Sequence, residues 1–299
     1  MSRVTRRGFI AGCAAVGAAA HIAGLGGRLL HAAEPLIKGT PNADKLGWRV
    51  GFSAYTFRNL TLLEALDTMA AVGLRNAELF SWQKFSPKNP EAKPGPELPP
   101  ALRAELKKKA SDLGIRMVAC YTSLKDAEGA KAFFEYAAEM GFEAIVSEPA
   151  ESLMEAIDKL TGEYKVDLAL HNHPKPSHYW DPEVGLAALK DRSARMGFCC
   201  DTGHWCRCGM EPAEVLKKVS SRVKTFHLKD LETFGEPKAK DAVWGTGQGR
   251  IAEILAEVKR LGLKPYIGIE WERTDMNDLA LHAESVAFLE KTAGALLKQ

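Results

Sequence analysis

The 299-residue chain reads as a single α/β domain, a closed (β/α)8 barrel of parallel strands. Short β-type runs alternate with helical runs from about residue 48 onward, the pattern of a parallel sheet with crossover helices. Eight such units in about 250 residues match a closed barrel in number and size. Four strand-like runs in the second half also stop at chelating or acid–base residues: His171-Asn172-His173, Asp201-Thr202-Gly203-His204, His227-Leu228-Lys229-Asp230 and Glu270-Trp271-Glu272. Chemistry in this architecture gathers at the C-terminal ends of the strands.

Strands are predicted at 48–54, 75–80, 115–121, 143–148, 166–172, 197–201, 223–228 and 265–271, each followed by a helix. The first helix opens at Thr61 with Glu64 three residues on, a capping box, and its apolar face is Leu62, Leu66, Met69 and Ala70. The third carries Ala130, Phe133, Phe134, Ala137 and Ala138 at helical spacing, and the seventh carries Ile251, Ile254, Leu255 and Val258 in the same stripe. Gly73, Gly114, Gly141 and Gly262 stand where helices should stop. An open doubly wound sheet would more often show a glycine-rich turn after its first strand, and here that turn is Ala54-Tyr55-Thr56-Phe57-Arg58. Two long connections follow strands and belong to the catalytic face: 81–99, with five prolines and Trp82, and 229–248, with Trp244, Gly245, Gly247 and Gly249 at its end.

Charged residues make up 26% of the chain and the formal net charge is +2, which points away from nucleic-acid or anionic-membrane partners. Residues 1–33 are set apart as a leader, and the barrel is assigned to 48–299. Thr5-Arg6-Arg7-Gly8-Phe9-Ile10 resembles the twin-arginine export motif. The weakly apolar stretch behind it contains His21 and Arg28, a poor membrane span, and ends near the small residues Ala32-Ala33. An exported, periplasmic protein with no membrane span after leader removal is expected. Beyond Cys13 there are Cys120, Cys199, Cys200, Cys206 and Cys208, an odd count that reads as mostly free thiols.

Asp201, His227 and Glu270, at consecutive strand ends, could converge on one divalent ion. Their two carboxylates and one imidazole suit Mn²⁺, Mg²⁺ or Co²⁺ better than structural Zn²⁺, and Mn²⁺ is the first expectation. Glu148, at the end of the fourth strand, is preferred as fourth ligand over His171, because a hard ion favours oxygen. Taken singly, Asp201 also reads as a helix cap and His227 as a core histidine, whereas a buried Glu270 needs a partner. His173 and His204, just beyond the ligand positions, would bond substrate hydroxyls or support the ligands. Lys229 would meet a substrate oxygen or pair with Asp230.

These motifs, together with Gly245-Thr246-Gly247-Gln248-Gly249, make the chain from about residue 48 resemble the xylose isomerase-like TIM-barrel superfamily, of the sugar phosphate isomerase/epimerase type. The resemblance implies a divalent metal held by a carboxylate with Asp201, His227 and Glu270, and His204 as a substrate contact. Epimerase-like members carry a glutamate where this chain has His171, so the acid is expected to move to Glu148. The implied activity is isomerisation or epimerisation of a sugar or keto-sugar through an enediolate, with Glu148, Glu270 and His173 as proton carriers. His171, Trp205 and Lys229 would contact the substrate. Trp82, Trp205, Trp244 and Trp271 offer apolar faces to a sugar ring, or core packing. A lyase or hydratase acting on a keto-glycoside or inositol-derived ketone would use the same metal and base. A non-catalytic sugar-binding barrel would show no bound ion, and an endonuclease of this fold would need a basic DNA face that the charge does not supply. A homo-oligomer is compatible with the sequence. Changing Arg6 and Arg7 together to Lys should hold the protein in the cytoplasm; unaltered export of that variant, read by cell fractionation, would refute the leader assignment.

Overall fold

The computed structural model describes residues 34–273 and 278–299, so the leader assigned to 1–33 lies outside the described residues. The barrel strands are β1 (Arg49–Ser53), β2 (Asn76–Phe80), β3 (Arg116–Tyr121), β4 (Ala144–Ser147), β5 (Asp167–His171), β6 (Met196–Asp201), β7 (Val223–Leu228) and β10 (Tyr266–Ile269). A short antiparallel pair, β8 (Asp230–Leu231) and β9 (Asp241–Ala242), lies between β7 and β10 in the chain. The helices are α1 (Pro41–Lys45), α2 (Leu62–Val72), α3 (Pro100–Asp112), α4 (Ala127–Met140), α5 (Met154–Tyr164), α6 (Pro182–Leu189), α7 (Thr202–Arg207), α8 (Pro212–Val219), α9 (Ile251–Arg260) and α10 (Leu279–Leu296). The barrel strands close in the order β1-β10-β7-β6-β5-β4-β3-β2. Every strand pair in the barrel is parallel.

Each predicted strand is present with ends shifted by at most two residues. Local chemistry explains the agreement. Glu64 Oε2 accepts from the Thr61 backbone N–H at 2.9 Å, closing the capping box of α2. The glycines expected to stop helices all have positive φ. Ile251, Ile254, Leu255 and Val258 are buried on α9. On α4 Ala130, Phe133, Phe134 and Ala137 are buried as expected, joined by Tyr136, whose ring lies 5.6 Å from Phe133, while Ala138 is exposed. Helix α1 was not anticipated. It is capped from a distance, with the Glu290 carboxylate of α10 accepting from the N–H groups of Asn42 and Ala43 at 2.9 Å each. Cys120, Cys199, Cys200, Cys206 and Cys208 are all free thiols, and among the described residues no helix is long and apolar enough to cross a membrane.

Both long connections are structured. In the first, Phe85 and Leu98 are buried in the main core, and Gln83 Nε2 donates to the carbonyls of Phe57 and Leu60 at 3.0 Å. The second folds around Asp230. Its Oδ2 accepts from Gly245 N at 2.8 Å and Gly247 N at 3.0 Å, and its Oδ1 accepts from Gly249 N at 2.6 Å and Leu231 N at 3.0 Å. The glycines are needed because the backbone wraps the carboxylate so closely: a Cβ on Gly247 would lie 2.4 Å from the Leu231 carbonyl oxygen and 2.6 Å from Asp230 Oδ1. Asp230 thus pins the loop and does not pair with Lys229. Asp230→Asn replaces an acceptor by a donor facing N–H groups. It should cost about 2–3 kcal/mol and lower the melting temperature by roughly 4–10 °C, as read by calorimetry; an unchanged melting temperature would show that the loop is held by other means.

Candidate metal centre and substrate cavity

Strand register assembles the centre. Asp201 on β6 stands opposite His227 on β7, and Ile269 on β10 stands opposite Leu228, so Glu270 follows at the mouth beside them. His171 on β5 pairs with Cys199, two residues before Asp201 on β6. The Asn172 side chain then locks the two strand ends together: its Oδ1 accepts from Asp201 N at 2.9 Å and its Nδ2 donates to the Asp201 carbonyl at 3.0 Å. His171, Asp201, His227 and Glu270 consequently each bring one ligand atom within 4.8 Å of the others, and all are buried.

Asp201 serves two purposes. Its Oδ1 caps α7, accepting from His204 N at 2.9 Å, while Oδ2 faces the other ligand atoms. Both sequence readings of this residue, cap and ligand position, therefore describe real contacts. The fourth member of this group is His171, whereas the preferred Glu148 groups instead with His171 and His173. Glu148 lies behind His171: its Oε1 is 2.9 Å from His171 Nδ1, it also bonds His173 Nδ1, and its Oε2 accepts from Ser177 Oγ at 2.8 Å. Glu148 stands level with His171, because Ser147 pairs with Leu170, and its carboxylate is taken up by the outer nitrogen of that imidazole, by His173 and by Ser177. A carboxylate in that place fixes the ring and raises its basicity. Glu78 on β2 does the same for His227, with Oε1 2.7 Å from Nε2.

The arrangement fits a cation. His171 Nε2, His227 Nδ1 and His204 Nε2 are buried without a hydrogen-bond partner. They stand 3.5, 3.9 and 3.4 Å from Asp201 Oδ2. Orphaned buried nitrogens are costly unless something satisfies them, and here they converge on one space with a carboxylate on each side. Burial opposes a charge on His171, but the facing carboxylates of Asp201 and Glu148 outweigh it and raise its pKa to about 10. Burial likewise opposes a charge on His227, and Glu270 and Glu78 raise it to about 9. Burial would raise Glu270, but His227 and Lys229 hold it at about 2.

Lys229 balances the acids. Fully buried, it donates from Nζ to Asp201 Oδ2 at 2.7 Å, Glu270 Oε1 at 2.9 Å and Glu272 Oε1 at 3.0 Å. Burial would depress its pKa, yet the three carboxylates hold it well above the usual lysine range. Its stem passes over Gly203, where a Cβ would lie 2.6 Å from Lys229 Cβ, which explains the glycine in Asp201-Thr202-Gly203-His204. With every ammonium proton spent on a carboxylate, Lys229 is a positioning group.

Above the centre opens a cavity of about 270 Å³, lined by Tyr55, Phe80, Trp82, Tyr121, His171, His173, Glu270 and Glu272. His173 is 47% exposed there and lies stacked 5.2 Å from His204. Trp205, expected at the substrate, is only 1% exposed and packs in the main core, as do Trp244 and Trp271. The helix that begins at Asp201 carries Trp205 away from the mouth. His204 is buried, with Nδ1 3.0 Å from Arg207 Nη1. Sequence reasoning missed Glu78 and Arg207, and it placed Glu272 at a strand end without a role. Glu78 left a signal, an acid between Ala77 and Leu79 in an apolar strand. Arg207, which bonds Glu272 and the Ala239 carbonyl from a buried position, left none.

The chain belongs to the xylose isomerase-like TIM barrel family, whose pattern matches residues 66–292. It is similar to an uncharacterised protein from Parabacteroides distasonis of solved structure, at 35% identity and TM-score 0.68 over 82% of this chain and 99% of that one. It is also similar to a D-tagatose 3-epimerase-like protein, at 16% identity and TM-score 0.65 over 84% and 98% of the two chains. A third likeness is to a xylose isomerase-like TIM barrel protein from Mycobacterium smegmatis, solved in complex with magnesium, at 14% identity and TM-score 0.66 over 84% and 98%. At the two lower identities the likeness is one of fold. No curated protein matches the chain.

The separate positions of His171 and Glu148 can be told apart by titration. His171→Ala should abolish stoichiometric binding of Mn²⁺, measured by calorimetry, while Glu148→Gln should weaken it by about 10–100-fold. The opposite ranking would return Glu148 to the ligand set.

Proposed function

We propose that the chain is a divalent-metal-dependent isomerase or epimerase that removes the proton next to the carbonyl of a sugar or keto-sugar. The supporting observation is a cavity that opens on the group of His171, Asp201, His227 and Glu270 and carries two proton-transfer side chains, His173 and Glu270, in its lining. A divalent cation held by the four supplies Lewis-acid polarisation of the substrate's oxygens. Two imidazoles beside two carboxylates suit Mn²⁺ first and accommodate Mg²⁺, Co²⁺ or Zn²⁺ as well.

The chain's own groups would do the rest. His173, held by Glu148 with its ring open to the cavity, exchanges a proton with the reacting carbon. Glu148 fixes the ring nitrogens of both His171 and His173, so one carboxylate sets the orientation of a ligand and of a base. Glu270 faces the cavity from the end of β10, separated from β5 around the barrel by β6 and β7. Glu270, held ionised, would take the proton on one wall while a protonated His173 supplies another from the opposite wall, which inverts the carbon between them; return of the abstracted proton by the same group to the neighbouring carbon completes an isomerisation. The aromatic residues around the mouth limit the access of water to the reacting carbon. With the twin-arginine-like leader, the same proposal puts this activity outside the cytoplasm.

Proton exchange tests the reading whatever the product. The Mn²⁺-loaded protein in D₂O should wash the α-proton out of at least one member of a panel of unphosphorylated ketoses and keto-glycosides, read by mass spectrometry. His173→Ala and Glu270→Gln should each slow that exchange by about 10²–10⁴-fold. Exchange that is equally fast in His173→Ala removes His173 from the mechanism, and no exchange with any of the panel sinks the assignment.

A further inference from the structure

The cavity carries a chemical preference of its own. Among the described residues, its lining contains no lysine or arginine. Lys84, two residues from Trp82, is exposed and not part of that lining, and Arg273, next to Glu272, bonds Glu232 and the Asp241 carbonyl. Other cations around the centre are committed as well. Lys229 gives its protons to Asp201, Glu270 and Glu272. Arg207 bonds Glu272, Asp241 and the Ala239 carbonyl. Arg58 donates to the carbonyls of Tyr55 and Trp271 at 3.1 and 3.2 Å and to that of Glu272. Lys175 lies 3.9 Å over the Trp180 ring. Glu78, Glu148, Asp201, Glu270 and Glu272 outnumber Lys229 and Arg207 so far that a bound divalent ion still leaves carboxylates in excess. A phosphate dianion entering this space would meet Glu270 and Glu272 with no free guanidinium or ammonium to receive it, where phosphate recognition relies on such groups or on helix N-termini.

The opposite wall is apolar. Phe80, Trp82 and Tyr121 pack mutually, with ring centroids 4.9 Å apart for Phe80–Trp82, 5.7 Å for Trp82–Tyr121 and 5.8 Å for Phe80–Tyr121, and Tyr55 adds an edge 5.0 Å from Phe80. Tyr121 joins this wall to the centre, 5.3 Å from the His171 ring. Trp82 is 44% exposed although it is fixed by these neighbours and by the packed loop that carries it. A held indole left open at a cavity mouth presents a large apolar face at little further entropic cost.

We infer that the site takes an uncharged carbohydrate, with the C–H face of its ring against Trp82, and discriminates against phosphorylated sugars. This rests on the function proposed above and narrows it. Within the site, Trp82 sets the orientation of the ring and the acidic excess sets its charge.

The experiment uses the full chain loaded with Mg²⁺, in D₂O, with D-fructose and D-glucose each set against its 6-phosphate. Saturation-transfer NMR reads binding, and the α-proton signal in the same tubes reads exchange. At least one neutral sugar should bind tenfold or more tightly than its phosphate, and Trp82→Ala should weaken that sugar about five- to tenfold while leaving Mg²⁺ stoichiometry unchanged. Neutral binding without exchange would overturn the proposed reaction and leave this inference standing. Phosphate binding as tight as neutral binding, no neutral binding at all, or full affinity in Trp82→Ala would overturn the inference.

Discussion

The structure turns on how a barrel mouth keeps so many carboxylates buried side by side. Asp201 and Glu270 are at most 6% exposed, and Glu272 stands beside them. Desolvating such charges is expensive unless each is paired. Lys229 solves this with one ammonium that reaches Asp201, Glu270 and Glu272. Arg207 holds the far side of Glu272, and Asp241 accepts from Arg207 at 3.4 Å. Taking one member out of such a network leaves an uncompensated buried charge, at a cost of about 3–5 kcal/mol. The donor geometry therefore depends on two cations that are not themselves ligands.

Much of the fold was legible in the sequence because barrel strands and helices are local objects. A run such as Ala144-Ile145-Val146-Ser147 is buried on both faces, as a strand covered by helices outside and side chains inside must be. Thr61 with Glu64 marks a helix start by a contact three residues long. What escaped was set at long range. Helix α1 carries little signal of its own and is fastened by Glu290, almost 250 residues away in sequence. The β8–β9 pair exists because Asp230 gathers the amides of Gly245, Gly247 and Gly249, and the glycine cluster announced a turn without saying what it turned around.

The site divides along the same line. Asp201, His227 and Glu270 could be named because each ends an apolar strand, and strand ends converge in a closed barrel. The order of Glu148 and His171 could not. Ser147 pairs with Leu170, so Glu148 and His171 stand level, and which side chain meets the centre is decided by contacts among side chains that are distant in sequence. Chemical preference for oxygen around a hard ion argued for Glu148, and those contacts overrode it. Trp205 failed for a related reason: Asp201 caps α7, and the helix it starts turns the indole into the core.

The two carboxylates behind the imidazoles show how the barrel divides its labour. Glu78 reaches His227 from inside the barrel, fully buried on β2, where it can only be structural support for the ring. Glu148 reaches His171 from beyond the end of β4, and the same oxygen meets His173, whose ring opens to the cavity. A carboxylate on one imidazole fixes a ligand; a carboxylate shared by two couples the ligand's orientation to that of a solvent-facing base. Any shift that moves Glu148 therefore moves both, so the position of the His173 ring is referenced to the centre by a single side chain. Ser177 and Tyr121, which also bond Glu148, tie that reference to the aromatic wall as well. The wall, the base and the ligand group thus form one connected unit, and its rigidity rests on Glu148 being fully bonded.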